Sequence, residues 1–225
     1  MSMQVQTDEA VLLLSGGMDS GVLLAILSSE YAKIHAVGFD YGSKHNAREL
    51  AMAKALAHRY HASFTEIALP FVNDKFASSI LLSGEDVPEG SYDDTNMRST
   101  VVPFRNGIML SVAIGMAENM GIKDVFIAAH AGDHPVYPDC RESFVAAISR
   151  AATEGTYTGV RVVAPFVSIS KAEIAEIGRG IGFDFSLTWS CYKGGDLHCG
   201  KCATCNERKM ALGFDRGLDP TRYKE

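Results

Sequence analysis

The feature of this chain that most restricts its fold is a recurrence. Strand-like apolar runs fall at 10–14, 34–39, 63–69, 124–129 and 160–164, each separated from the next by a segment long enough for a helix. Strands that alternate with helices pair in parallel and are covered on both faces, so the pattern predicts an α/β, doubly wound, mostly parallel five-stranded sheet. Between the second and third runs, Lys44 to Tyr60 lacks Pro and Gly and sets Leu50, Ala53, Ala57 and Tyr60 near one helical face. Residues 106–120 are apolar on nearly every side, which predicts a buried helix. Ser170 with Glu173 forms a capping box ahead of a helix over 171–178. Segment 83–99, with Gly84, Pro88 and Gly90 among the acids Glu85, Asp86, Glu89, Asp93 and Asp94, is longer than ordinary loops and is read as a mobile lid.

The first run leads directly into Ser15-Gly16-Gly17-Met18-Asp19-Ser20, and a helical stretch, Gly21 to Leu27, follows. Paired glycines let the backbone turn tightly and bring bare N–H groups near an oxyanion, and the helix adds the positive end of its dipole. A nucleotide polyanion suits such a cradle. The Walker loop would need a lysine followed by Ser or Thr, and the dinucleotide fingerprint a third spaced glycine; neither is present. Taken alone, the string also fits a plain strand-to-helix turn with Ser15 or Asp19 as its cap.

At 225 residues and 24.3 kDa the chain can build one sizeable core with a small appendage. The formal net charge of −6 carries no basic stripe of the kind that grips tRNA or duplex, so no direct nucleic-acid partner is expected. No leader pattern is seen and no apolar run approaches the ~20 residues that span a bilayer, so no membrane association and a cytoplasmic location are expected. In that compartment thiols stay reduced. The cysteines crowded between 191 and 205 are therefore read as metal ligands.

Cys191, Cys199, Cys202 and Cys205 are spaced C-x7-C-x2-C-x2-C, with Gly194-Gly195 and Gly200 loosening the chain between them. Four thiolates make a closed tetrahedral zinc site that leaves no place for an activated water, so the metal's contribution is folding energy. An iron–sulfur cluster is the rival, and His198 could replace one thiolate. The change of character near 186 divides the chain into 1–185 and a cysteine-rich tail with a C-terminal helix, 186–225. Trp189, Ser190 and Tyr192 flank the first ligand and are expected to close one side of the site.

Arg105, in Val102-Pro103-Phe104-Arg105-Asn106, stands at a helix entrance and could hold a carboxylate or phosphate bidentately, or simply be solvated there. Asp133, Asp139 and Arg141 follow the 124–129 strand, where open parallel sheets keep their ligands; each could equally be a turn residue. His130 and His134 have helical metal spacing, but Gly132 and Pro135 argue against a helix and hence against that metal site. Cys140 is a lone thiol, more often a small apolar group than a nucleophile. Lys44 and Lys171 could reach phosphates or be solvated.

The six-residue loop resembles that of the ATP pyrophosphatase superfamily. Together with Phe39-Asp40-Tyr41-Gly42, Lys44-His45, Val102 to Asn106, Tyr137-Pro138-Asp139-Cys140-Arg141 and Thr188-Trp189-Ser190-Cys191-Tyr192 with its trailing cysteines, it is similar to the 7-cyano-7-deazaguanine synthase family over about residues 10–212. The chain departs from that pattern at Ser43, where glutamine is more usual. The resemblance implies an adenine nucleotide alpha hydrolase-like fold and an ATP-dependent C–N ligase that makes 7-cyano-7-deazaguanine from 7-carboxy-7-deazaguanine and ammonia, in queuosine precursor biosynthesis. It also implies a homodimer, Mg2+ with ATP, and one structural Zn2+ on the four cysteines. ATP contacts would extend over Leu14, Ser15, Gly16, Gly17, Met18, Asp19, Ser20, Gly21, Val22, Leu23 and Leu24. Ser15, Asp19, Ser20 and Arg105 would be catalytic, and Arg105, Asp133, Asp139 and Arg141 would hold the deazaguanine. Rival readings are another amidotransferase, a tRNA thiolase, and a non-catalytic zinc-containing nucleotide-binding module.

Overall fold

The computed structural model describes residues 8–90 and 95–224. Five strands, β1 (Glu9–Leu13), β2 (Lys33–Asp40), β3 (Ser63–Ala68), β4 (Asp124–Phe126) and β5 (Arg161–Val163), pair in the order β3-β2-β1-β4-β5. Every pairing is parallel, with Leu12 opposite Ala36 on one side and Phe126 on the other. The order reverses between β1 and β4. That switch point opens a crevice at the carboxyl ends of the strands, where α/β sheets of this kind bind ligands.

Alternation along β1 divides the core in two. Val11 and Leu13 face Met109, Leu110, Ala113 and Ala117 of α4 (Arg105–Met120), with Val145 and Ala152 of α5 (Glu142–Gly155) beyond. Ala10, Leu12 and Leu14 face the other layer: α1 (Met18–Glu30), α2 (Asn46–Arg59), α6 (Lys171–Gly180) and α7 (Ala203–Leu212). A short helix, α3 (Pro70–Lys75), follows β3. The capping box forms as expected: Ser170 Oγ accepts from Glu173 N, and the Glu173 carboxylate accepts from Ser170 N at 2.8 Å.

Met97–Met120 is helical and apolar enough, by length and composition, to cross a membrane. A break over 101–104 divides it, leaving α4 about 24 Å long against a hydrocarbon core of about 30 Å. α4 is a core helix packed on β1 and β4.

The segment read as a mobile lid is tied down where it is described. Ser79 N donates to Ser99 O at 2.7 Å, Gly90 N to Lys201 O at 3.3 Å, and Lys193 pairs with Glu89 at 2.7 Å. Residues 91–94 of that segment lie outside the described residues.

Candidate active site in the switch-point crevice

The loop after β1 begins the site. Gly16 has φ +84°, and a Cβ there would stand 2.1 Å from the Glu49 carbonyl oxygen, so only glycine lets the loop lie this close to α2. Ser15 Oγ accepts from Gly17 N at 3.1 Å and meets Ser20 Oγ at 3.0 Å, which closes the turn. α1 then starts at an N-cap glycine, Gly17, with no side-chain cap, unlike the capped turn that Ser15 or Asp19 would make. Its first N–H groups are left for a ligand, where the helix dipole favours negative charge.

Around this helix start lies a cavity of ≈ 200 Å³. Its end at the glycine loop is lined by Ser15, Gly17, Asp19 and Ser20, by His130 and Asp133 beyond β4, and by Lys171 at the start of α6. Lys171 Nζ lies 3.4 Å from Asp19 and 2.6 Å from Glu207. Burial works against its charge, but Asp19, Glu207 and Asp133 outweigh burial and raise its pKa. Burial likewise pushes the Asp133 carboxyl up, against the pull of His130 and Lys171. His130 Nδ1 accepts from Gly132 N at 3.1 Å, which puts the ring proton on Nε2, 3.5 Å from Asp133. Asp19 Oδ1 and His130 Nε2 are buried without a partner. An unpartnered carboxylate oxygen beside a phosphate cradle suits Mg2+ carried by a nucleotide. His130 caps a short 3-10 turn, Ala131–Asp133, and His134 lies outside the cavity lining.

The other end is aromatic. Arg105 reaches in from the first turn of α4, donates to Tyr41 Oη at 3.2 Å and lies over the Tyr41 ring. It makes no ion pair with a carboxylate among the described residues. Burial disfavours its charge, yet the Tyr41, Tyr192 and Tyr137 phenols and Asp139 hold it protonated. His45 Nδ1 donates to Tyr192 O at 3.2 Å and its ring stacks on Tyr192; burial and Arg105 lower its pKa to about 4, so it is neutral. Cys140 lines the wall, where burial and then Asp133 and Asp139 push its thiol well above the usual range. That thiol is no nucleophile at neutral pH.

Of the predicted site residues, Leu14, Ser15, Gly17, Met18, Asp19, Ser20, Arg105 and Asp133 converge on the cavity. Gly16 shapes the loop behind it, and Gly21, Val22, Leu23 and Leu24 point into the core of the α1 layer. The Asp139 carboxylate is engaged elsewhere: it accepts from Asn106 N at 2.8 Å and so caps α4. Arg141 is exposed and donates to His134 O. Lys44 reaches no phosphate position. Its Nζ donates to the carbonyls of Ser79, Gly84 and Glu85. Tyr41 and His45, quoted from the sequence as motif residues without a role, line the cavity, and so does Glu49, which the sequence reading did not name and which α2 brings against the loop.

The tail closes the third side. Trp189, Ser190, Tyr192 and Thr204 all line the cavity, and Trp189 N donates to Gly16 O at 2.9 Å. Cys191, Cys199, Cys202 and Cys205 are buried with their sulfurs within 4.8 Å of one another, close enough to hold one metal ion. Cys199 and Cys205 Sγ are 3.8 Å apart, and a tetrahedron with ~2.3 Å Zn–S bonds has edges of about that length. Cys191 Sγ accepts from Cys199 N, and Cys199 Sγ accepts from Cys202 N, both at 3.3 Å; such bonds favour thiolates. His198 supplies no fourth ligand: its Nε2 accepts from Ser190 N at 3.1 Å and its ring packs on Trp189. Arg208, buried, donates to Thr188, Ser190, Phe185 and Thr221, tying α7 to the same wall.

By overall fold the chain is similar to NMN synthetase from Francisella tularensis, with TM-score 0.54, 12% identity, and coverage of 99% of this chain and 82% of that one. It is also similar to NH3-dependent NAD synthetase from Campylobacter jejuni, with TM-score 0.50, 17% identity, and coverage of 96% and 81%. In sequence it is 49% identical over 215 residues to a 7-cyano-7-deazaguanine synthase of Desulfotalea psychrophila, covering 96% of this chain and 98% of that one. It is 52% identical over 217 residues to one from Porphyromonas gingivalis, covering 96% and 97%. The family model described as queuosine biosynthesis protein QueC matches residues 9–214, and the chain belongs to that family, to which its 7-cyano-7-deazaguanine synthase relatives give an activity.

Proposed function

We propose that the chain converts 7-carboxy-7-deazaguanine and ammonia into 7-cyano-7-deazaguanine, spending one ATP to adenylate the acid and a second to adenylate the amide. The observation that carries this reading is the placing of two positive elements in one cavity: the start of α1, without a side-chain cap, and Arg105, which pairs with no carboxylate among the described residues. The first suits a pyrophosphate, the second a carboxylate. A carboxylate is a poor electrophile, and adenylation makes one of its oxygens part of a good leaving group. Ammonia then displaces AMP to give the amide. The amide oxygen is adenylated in turn, and loss of AMP leaves the nitrile.

Ser15, Gly17, Ser20 and the first N–H groups of α1 bind the outer phosphates, within an ATP-contact segment of Leu14 to Leu24. Asp19, whose Oδ1 is buried and unpartnered, would hold the Mg2+ carried by ATP, with Asp133 near it. Lys171 balances charge developing on pyrophosphate. Arg105 holds the substrate carboxylate; Asp139 and Arg141 support the wall by capping α4 and bracing the turn before α5. The four cysteines hold one structural Zn2+. Their tight spacing supports a single ion, since a multi-iron cluster would place irons and sulfides between the sulfurs. The raised Cys140 thiol disfavours sulfur transfer. The enzyme is read as a cytoplasmic homodimer with small-molecule substrates.

Incubation with ATP, ammonium and 7-carboxy-7-deazaguanine tests the reading. AMP, pyrophosphate and nitrile are the expected products, with two ATP consumed per nitrile. ADP and orthophosphate would overturn it, and a binding module would produce nothing.

A further inference from the structure

Most ionisable groups on the cavity wall already have partners. Asp19 meets Lys171, Lys171 meets Glu207, Asp133 faces His130, and Tyr41 holds Arg105. His45 is held on one side by Tyr192 O and faces Tyr41 Oη at 3.4 Å on the other. Glu49, like Asp133 beside His130, has only a histidine nitrogen near it. Its carboxyl makes no hydrogen bond among the described residues, and its closest basic atom is His45 Nε2 at 3.6 Å. The side chain is 18% exposed and lines the cavity, while its own backbone is pressed against Gly16 in the glycine loop. An enclosed carboxyl left without partners costs stability. Here its backbone adjoins the glycine loop while its carboxyl feels the charge of Arg105.

Resting on the reaction proposed above, we propose that Glu49 is the base that takes the last nitrogen proton when the adenylated amide collapses to nitrile and AMP. The neutral imidate, R–C(=NH)–O–AMP, loses its N–H proton to a Glu49 carboxylate oxygen. The N–H electron pair becomes the third C–N bond, and the C–O pair departs with AMP. The earlier proton leaves a cationic nitrogen acidic enough to need no positioned base. Product release and return of the proton to solvent reset Glu49.

The surroundings set the titration. Burial raises the Glu49 carboxyl to about 8, with Arg105 of α4 pulling the other way. His45 of α2 is neutral, and burial raises the phenols of Tyr41 after β2 and Tyr192 in the tail, so none of these changes charge near that pH. A base is most effective when its pKa lies near the working pH.

The test starts from 7-amido-7-deazaguanine and ATP, which removes ammonia and its ionisation from the assay. Wild-type nitrile formation should rise with pH through about 8 and level off. Glu49→Gln should lose at least ~100-fold of that rate and its pH dependence, a typical general-base loss. It should keep ATP–pyrophosphate exchange with 7-carboxy-7-deazaguanine within about threefold, and Glu49→Asp should recover a pH-dependent rate. The proposal is overturned if Glu49→Gln retains the wild-type rate and profile. It is equally overturned if exchange and nitrile formation fall together, since Glu49 would then serve binding or folding. A wild-type protein that makes no nitrile from either acid or amide would instead overturn the reaction itself.

Discussion

Arg105 places an enclosed cation that, among the described residues, donates to the Tyr41 hydroxyl and lies over that ring without an ion-pair partner, an arrangement that lowers stability unless a ligand completes it. Arg105→Met should therefore leave thermal stability unchanged or raise it while weakening binding of the carboxylate substrate by about 1.5–3 kcal/mol, the worth of hydrogen bonds to a charge. Melting curves and substrate titration decide: a melting point lowered by several degrees with affinity intact would make Arg105 a structural residue. Lys44 behaves in the opposite way. Its ammonium gathers three carbonyls of the 79–85 turn, so Lys44→Met should cost about 2 kcal/mol of stability, a typical loss from orphaned acceptors, without changing the ATP requirement. Denaturant unfolding of the two proteins side by side measures this, and an unchanged midpoint would refute it. Spacing alone left Lys44 a choice between phosphate and solvent; the structure takes neither, because the carbonyls come from a segment 35 to 41 positions away.

At the scale of elements, the sheet edge depends on Asp124. Its carboxylate receives Arg161 of β5 and, at 2.9 Å, the Tyr31 hydroxyl that follows α1, so one side chain joins two strands and a helix. Burial pushes this carboxyl up, but the Arg161 and Tyr31 donors outweigh burial and hold it below the usual value. A depressed folded-state pKa contributes stability that is complete above the unfolded value near 3.8 and is lost as pH falls through the folded one. Asp124→Asn should remove that part of the acid dependence, which urea unfolding across pH 2–6 would detect; parallel wild-type and mutant curves would refute it. The same edge shows what periodicity could and could not reveal. All five strands lie where the apolar runs predicted, yet β4 stops at Phe126 although its run continues to 129. Residues 127–129 are apolar because they form the cavity floor and pass beyond the β1 ladder, and an apolar run looks the same whether it pairs or lines a pocket. The capping box on α6 was legible because its partners are three residues apart; Glu49 was not, because its position depends on how α2 meets Gly16.

Across the whole molecule, the cysteine cluster and the switch-point cavity share one wall. Trp189, the single tryptophan, donates to Cys191 O, binds the Gly16 carbonyl through its own N–H and packs on His198, while Arg208 clamps Ser190 and Thr188 from behind. A metal held by the four sulfurs would therefore order the tail and also support the glycine loop from outside. The binding free energy of such an ion would act as folding energy for that wall. Stripping the metal with a strong chelator should shift Trp189 emission to longer wavelength as the indole meets water, and ATP affinity should fall by tenfold or more with it, since the loop loses its Gly16 brace. Adding Zn2+ at one equivalent should restore both signals in parallel. Emission and nucleotide binding that persist after stoichiometric metal loss, measured by elemental analysis of the same sample, would show that the thiol network alone holds the wall and that the centre is uncoupled from the site.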